Sequence, residues 1–396
     1  MRRGLLALGV LAVALLAGSA RDNPFPGQTP TDPQQLARIK AARGRLATAL
    51  RGGEPAAIAT AEAEVRQALG PYAGVPEAAE KLNPRGTKAP RPSPADYRKL
   101  TERMSTLASG SDRAKANRME LRNAAYLAIG LLAMVEADLP DASAYRKQAA
   151  TELDFLVARQ APEGFFPYPA DPVAPPHLQA AAKQFAREHP EKVRNGFIYA
   201  DEDGAQFDTG CAAYALGYGY QVLKQDRFLK AARKAGDWAL RFPLSPNWNY
   251  NSFSVWHLAK LAEVTGERQY RDGAVRLATL GVLPGQMENG RWSDQHNARA
   301  VYHWIMVRGL TALVRVLPEG DPQAKAIRDK TRLAVEARVN DVLRDGGSND
   351  DQAYVALADA LEVLGPNEQW ERALAEVGGT NPYSSGIYAR RKAAYK

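Results

Sequence analysis

Three side chains that could carry out chemistry lie close together in GQMENGRWSDQHNARAVYHW, residues 285–304. His296, Arg299 and His303 are spaced i, i+3 and i+7, which would place them along one stripe of an α-helix. A histidine can accept a proton near neutral pH, and an arginine can neutralise a carboxylate. A helix cap or core packing explains this trio poorly, so we predict that it lines a functional site.

The elements that would position these residues are paired helices. From about residue 112 onward, long Ala/Leu-rich helices alternate with loops, and strand-like alternation is nearly absent. A loop pattern of Gln, three residues, Gly, one residue and an aromatic recurs at 160–166 and 286–292. The first helices of five pairs are predicted to begin at Asn123, Asp208, Asn251, His296 and Asp351. Such hairpin units need neighbours to bury their apolar faces, which predicts a helical repeat.

This repeat resembles the (α/α)-toroid proteins, in which an inner ring of helices is wrapped by an outer ring. That group includes polysaccharide lyases, several glycoside hydrolases and terpenoid cyclases, and the resemblance covers about residues 112–376. It implies an all-α (α/α) toroid, either an incomplete ring or a six-hairpin barrel, preceded by an N-terminal helical arm. In such a ring Asp208, Asn251, His296 and Arg299 should converge on one cavity, with helix N-termini adding positive potential at its mouth.

Seven further residues are predicted to bind substrate near this rim. The loop PNWNYN offers Trp248 and Tyr250 as a sugar platform, with Asn249 between them. Trp292 could stack on a sugar ring or serve only the repeated loop. The carboxylates are Asp208, Asp294 and Asp351, of which Asp208 and Asp351 could equally be helix caps.

The stretch from Trp248 to Tyr302 resembles the alginate-lyase and heparinase-type toroid lyases, whose sites combine Asn, His, Arg and Tyr. The resemblance implies β-elimination on a uronate polymer, which needs carboxylate neutralisation, a base for the C5 proton and an acid for the leaving oxygen. Asn251 and Arg299 would hold the carboxylate, His296 would be the base, and a Tyr or His303 the acid. Those alginate enzymes carry an adjacent Asn-His pair, whereas Ser252 follows Asn251 here. Tyr302 belongs to a recurring aromatic slot, so we expect it to pack rather than react.

Two other functions fit the same pattern. A glycoside hydrolase would need two carboxyl groups across a glycosidic bond, and Asp208, Asp294, Asp351 and the acids at 201–203 are candidates without a selecting spacing. A non-catalytic polysaccharide-binding or envelope-scaffolding protein would keep the aromatics and lose the acid/base groups. The acid motif of a terpenoid cyclase is incomplete. Because no zinc spacing or phosphate loop occurs, we predict no cofactor and no metal site, with Ca²⁺ binding left open.

The N-terminus predicts export. Arg2 and Arg3 precede an apolar run that ends in small residues near Ala20, as in a secretory signal peptide. We therefore divide the chain into a signal peptide (1–20), a tether and helical arm (21–111) and the toroid domain (112–396). Without the leader, the chain has 50 basic and 44 acidic residues. This excess of positive charge favours an acidic polysaccharide or oligosaccharide as partner. No dense basic block indicates nucleic acid, and no other segment predicts stable membrane insertion; the protein should be periplasmic or extracellular.

Overall fold

The computed structural model describes residues 28–394 except 79, 81, 85, 94, 98, 100–120, 173–175 and 203. The predicted signal peptide, most of the tether and the predicted boundary at 111/112 lie outside the described residues. Within these ranges no helix combines the length and apolar character needed to cross a bilayer.

Besides three one-turn 3₁₀ helices at Gly70–Tyr72, Pro190–Lys192 and Leu283–Gly285, the described residues form fourteen α-helices with defined bounds. They are α1 (Pro33–Gly52), α2 (Pro55–Leu69), α3 (Leu121–Glu136), α4 (Ala142–Val157), α5 (Pro176–Glu188), α6 (Ala205–Leu223), α7 (Asp226–Arg241), α8 (Trp248–Thr265), α9 (Arg268–Gly281), α10 (Ala300–Val316), α11 (Pro322–Asp345), α12 (Asp351–Leu364), α13 (Glu368–Glu376) and α14 (Pro382–Ala394). Three two-residue strands, β1 (Tyr168–Pro169), β2 (Val193–Arg194) and β3 (Phe197–Ile198), form an antiparallel sheet in the order β1-β3-β2. This small sheet belongs to the insert between α4 and α6.

Six of these helices close an inner ring. In order around the ring they are α3, α6, α8, α10, α12 and α14, each packed on the next, and α14 packs back on α3. The helices α4, α7, α9, α11 and α13 follow them in the chain and lie outside. The prediction of an all-α toroid is confirmed.

Glycines let the inner helices approach closely. A Cβ on Gly130 of α3 would lie 2.0 Å from the Pro382 carbonyl oxygen at the start of α14. A Cβ on Gly210 of α6 would lie 2.6 Å from the Phe253 Cβ on α8, and one on Gly309 of α10 would lie 2.2 Å from the Ser252 hydroxyl. These contacts draw neighbouring helices together at three places around the ring, so the missing side chain has a packing reason.

The repeated loop joins two of the hairpins to the outer helix of the following hairpin. Gln160 donates its amide to the carbonyls of Gly164 and Ala231, the latter on α7. Gln286 does the same with Gly290 and with Lys330 on α11. Gly164 and Gly290 both have positive φ, at 116° and 82°. The pattern recognised in the sequence therefore has a structural role.

The observed helix starts differ from the predicted ones in four of the five repeats, least in α3, whose described part begins at Leu121 rather than Asn123. The helix α6 begins at Ala205 and α8 at Trp248, three residues before the predicted Asp208 and Asn251. The helix α10 begins at Ala300, four residues after the predicted His296, because Arg299 is extended (φ −66°, ψ 143°) and acts as the N-cap. The Glu80 carboxylate of the arm accepts a hydrogen bond from the Ala300 backbone N–H. The arm thus supplies a cap that no local residue provides.

Candidate functional site

The arm runs along the rim formed by the loops that enter the inner helices. We call residues 74–91 the rim segment. Its backbone donates from Gly74 to the Ser293 carbonyl (2.7 Å) and from Glu77 to the Gln295 carbonyl (3.2 Å). Further along, Asn83 donates to Gly347 and Ala89 to Ala375. The rim segment therefore borders the mouth of the ring beside α10, α12 and α13.

His296 is held by this rim segment. Its Nδ1 lies 2.9 Å from Oε1 of Glu77, and its ring packs on Tyr302 with centroids 3.9 Å apart. The hydrogen bond from His296 holds the pKa of Glu77 below its usual value, with the charge of Arg299 acting in the same direction. A carboxylate at this distance fixes the proton on Nδ1 and leaves Nε2 as the basic nitrogen. Within the described chain, Nε2 is buried and has no hydrogen-bond partner.

The charges of two arginines, Arg299 before α10 and Arg122 on α3, act on the Tyr302 phenol. The Arg299 guanidinium lies 5.4 Å from the Tyr302 ring centroid, and Arg122 of α3 lies over Phe207 at 4.5 Å. Burial raises the pKa of Tyr302, while the charges of Arg299 and Arg122 offset part of that rise. Because α3 and α10 are opposite each other in the toroid, positive charge lies on both sides of the mouth.

A buried arginine forms the floor beneath this mouth. Arg308 is 1% exposed and donates from Nη1 to the Gln352 amide oxygen (2.5 Å) and the Tyr383 hydroxyl (3.1 Å). Its guanidinium lies 3.7 Å from the Trp256 ring centroid and 5.6 Å from that of Tyr126. It thereby joins side chains from five inner helices. The available sequence signal was an arginine inside the apolar run IMVRGLTALVRVL.

Cys211 lies close to this floor as a protonated thiol. It donates from Sγ to the Tyr126 hydroxyl at 3.3 Å. Burial raises its pKa to about 12, so it is not a thiolate nucleophile at neutral pH.

Two predicted catalytic residues face away from the mouth. Asn251 is fully buried and donates to the carbonyls of Ser245 (2.8 Å) and Gly281 (2.6 Å), which uses both amide hydrogens. His303 places Nε2 2.8 Å from the Ala334 carbonyl on α11 and meets Trp292 edge-on at 4.9 Å. Burial lowers the pKa of His303 well below its usual value. The stripe from 296 to 303 does not form, because α10 begins only at Ala300.

The predicted aromatic platform is buried. Trp248 and Asn249 are each 1% exposed and Tyr250 6%, because they form the first turn of α8 rather than a loop. Asn249 donates to Asn297 Oδ1 at 2.9 Å. Trp292 is fully buried and donates from Nε1 to the Val282 carbonyl at 2.9 Å. These side chains are packed inside the protein, so they offer no exposed aromatic platform.

The three predicted carboxylates occupy different parts of the rim. Asp294 accepts from the Asn297 N–H at 2.9 Å before α10. Asp351 is bound by the side chains of Ser384 and Asn381 at the starts of α12 and α14. Burial raises the pKa of both. Asp208 is buried in the first turn of α6. Within the described chain, no group of three or more His, Cys, Asp or Glu is arranged to hold a metal ion.

Comparisons with known proteins leave the family open. No protein-family model matches the chain, and no curated protein matches it. Similar solved structures include the polysaccharide lyase BACCELL_00875, at 11% identity and a TM-score of 0.45, covering 76% of this chain and 98% of that one. The Lin0763 protein from Listeria innocua has 14% identity and a TM-score of 0.37, and the alignment covers 98% of this chain and 95% of that one.

A third similar structure is an inactive variant of an alpha-1,6-mannanase of Salegentibacter in complex with alpha-1,6-mannotetrose. It has 13% identity and a TM-score of 0.32, and the alignment covers 76% of this chain and 99% of that one. The toroid assignment rests on the helix packing described above, and no activity is transferred from these three chains.

Proposed function

We propose that the protein is an exported polysaccharide lyase that cleaves an acidic, uronate-containing polysaccharide by β-elimination at the mouth of the ring. The observation that carries this proposal is the His296–Glu77 pair, packed on Tyr302 and flanked by Arg299. It unites a candidate base, a candidate acid and a cation in one place, as this reaction requires.

His296 is the proposed base. With Nδ1 bound to Glu77, the Nε2 lone pair can take the C5 proton, and the Glu77 carboxylate stabilises the imidazolium that forms. Nε2 is covered in the free protein, so a side chain at the rim has to move before the substrate reaches it. The partly exposed Arg299 is the proposed moving group.

Arg299 and Arg122 are the proposed carboxylate-binding groups. Neutralising the uronate carboxylate stabilises the negative charge that develops when C5 loses its proton. Tyr302 is the proposed acid for the leaving oxygen, because its phenol lies against the proposed base and the charges of Arg299 and Arg122 would stabilise the phenolate that forms. This role replaces the packing role expected from the sequence, since the structure places Tyr302 against His296.

The test is to incubate the protein with a panel of uronate polymers and follow the absorbance of newly formed unsaturated ends. Activity should fall about 10²–10⁴-fold in His296→Ala and in Tyr302→Phe, the range for loss of a general base or acid. The matched controls are His303→Gln and Tyr250→Phe, which alter buried residues outside the proposed site.

Each of the other outcomes of this experiment leads to a different conclusion about function. Release of new reducing ends without unsaturated ends would indicate a glycoside hydrolase instead of a lyase. Binding of a uronate polymer without cleavage would indicate a non-catalytic polysaccharide-binding protein. Full activity in both His296→Ala and Tyr302→Phe would move the chemistry away from this pair.

A further inference from the structure

A cavity of about 440 Å³ lies in the wall of the ring, between α12, α13 and α14. Small-molecule sites commonly have volumes of about 300–1,000 Å³. This cavity shares no lining residue with the proposed site at the mouth. Its lining consists of Arg91, Tyr354, Glu371, Leu374, Ala375, Tyr388, Arg391 and Lys392.

The cavity carries an excess of positive charge. Three of its lining side chains are basic and one is acidic, and that acid, Glu371, is already bound by Arg391. Arg91 is fixed by donating to the carbonyls of Val377 (2.8 Å) and Leu374 (2.6 Å). Lys392 is exposed, and its amine has no hydrogen bond or ion pair in the described part of the chain. An anion bound in the cavity would therefore be attracted by the Lys392 ammonium, which no carboxylate neutralises, and by the ordered Arg91 guanidinium.

Two tyrosines give the cavity an aromatic wall. The rings of Tyr354 and Tyr388 lie 6.3 Å apart at an interplanar angle of 48°. The Arg91 guanidinium lies 5.2 Å from the Tyr354 ring centroid, which orders that ring. Burial raises the pKa of Tyr354, so its hydroxyl keeps its proton and can donate a hydrogen bond. Aromatic faces beside hydroxyl and cationic donors suit a ring-shaped ligand that bears an anionic group.

We propose that this cavity is a second binding site that takes one carboxylate-bearing sugar unit, separate from the mouth. Its preference for an anion follows from Arg91 and Lys392, and the assignment of that anion to a sugar rests on the proposed function. A site in the outer wall would hold a polymer chain beside the ring while another part of the chain occupies the mouth. It would raise the effective concentration of long substrates without changing the cleavage of short ones.

The test is a calorimetric titration of a galacturonate trisaccharide into the wild type, Lys392→Glu and Lys230→Glu. Lys230 is an exposed lysine on α7, so Lys230→Glu makes the same charge change away from the cavity. We expect two binding sites in the wild type and in Lys230→Glu, and about ten-fold or more loss of affinity at one of them in Lys392→Glu. Neutral maltotriose should not bind the cavity, and Tyr388→Leu should weaken it for the trisaccharide.

The outcomes separate this proposal from the proposed function. Loss of one site in Lys392→Glu, in a protein that cleaves no uronate polymer, would retain the cavity and reject only the chemistry at the mouth. Indistinguishable titrations for Lys392→Glu and Lys230→Glu would overturn the cavity site. Equal binding of maltotriose and the galacturonate trisaccharide in the cavity would overturn its anion preference. Thermal unfolding of all three variants confirms that lost binding is not lost folding.

Discussion

At the scale of single residues, the pair of His296 and Glu77 joins positions 219 apart in the chain. We expect Glu77→Gln to lower kcat about ten-fold or more, because the amide holds the ring less firmly and carries no charge. Initial rates on the uronate polymer at saturating substrate measure this change in kcat.

The control for this change is Glu64→Gln. Glu64 is an arm carboxylate that binds Arg45 on α1 and does not contact the rim loops. Its removal makes the same change of charge and should leave kcat in place. Equal kcat values for Glu77→Gln and the wild type would remove Glu77 from the site.

Glu62 makes the attachment of the arm sensitive to pH. It is 2% exposed, accepts from the Ser293 hydroxyl and from Arg66, and has Asp294 nearby. Burial raises its pKa from 4.5 to about 7. Because the folded pKa lies above the unfolded one, the stability that the protonated form contributes is present below pH 4.5 and is lost between pH 4.5 and 7.

We therefore expect the stability of Glu62→Gln to increase relative to that of the wild type as pH rises from 4.5 to 7. The difference in free energy of unfolding should change by at most about 3 kcal/mol and then stay constant above pH 7. Urea unfolding of both proteins at pH 4.5, 6 and 8 measures it. A difference that does not change with pH would mean that Glu62 titrates normally.

At the scale of elements, Gly290 tests the role of the repeated loop. A Cβ at this position would lie 2.3 Å from the Leu333 carbonyl oxygen, and its φ is 82°. We expect Gly290→Ala to lower the free energy of unfolding by about 2–5 kcal/mol, from backbone strain and overpacking together. Gly320→Ala is the matched control, because its φ is 85° with nothing within 4 Å. It should cost only about 1–2 kcal/mol; equal losses would show that the close approach to α11 is unimportant.

The helices and their order around the ring could be predicted from the sequence, because the signals of the repeat are local. Apolar spacing, Gly-containing loops and hairpin length each depend on neighbouring residues, and they suffice to predict the ring. The site depends on contacts between distant segments. Glu77 and Glu80 reach α10 from the arm, and nothing near them in the sequence marks that contact.

The errors in placing helix starts explain why several predicted site residues lie elsewhere. Trp248 and Asn251 were expected in a loop and at a helix start, yet α8 already begins at Trp248 and turns both into the protein. Because α8 begins three residues earlier than predicted, Asn251 lies about 4.5 Å along the helix axis from the first helical residue, instead of at the end of the helix. Arg308 was missed for another reason, since only the closed ring brings it into contact with side chains of α3, α8, α12 and α14.

At the scale of the whole molecule, export stays a prediction of the sequence. We expect the secreted or periplasmic form to begin near Arg21, after cleavage at about Ala20. Intact-mass measurement of protein recovered from the periplasm or medium tests this, with an Arg2→Glu, Arg3→Glu variant as control. That variant should accumulate inside the cell, because the positive n-region is part of the export signal. Recovery of exported protein that retains residues 1–20 would contradict cleavage.

Closure of the ring has a consequence for the order of folding. The seam between α3 and α14 joins early and late parts of the chain through Gly130 and Pro382, whereas every other inner seam joins successive hairpins. The helix α3 leaves the ribosome long before α14. The face of α3 that carries Gly130 therefore has no native partner during most of synthesis. Contacts this distant in sequence slow folding and leave apolar surface open to aggregation. The seam would be the last to form, and holdase chaperones would be needed most by the open ring that precedes it.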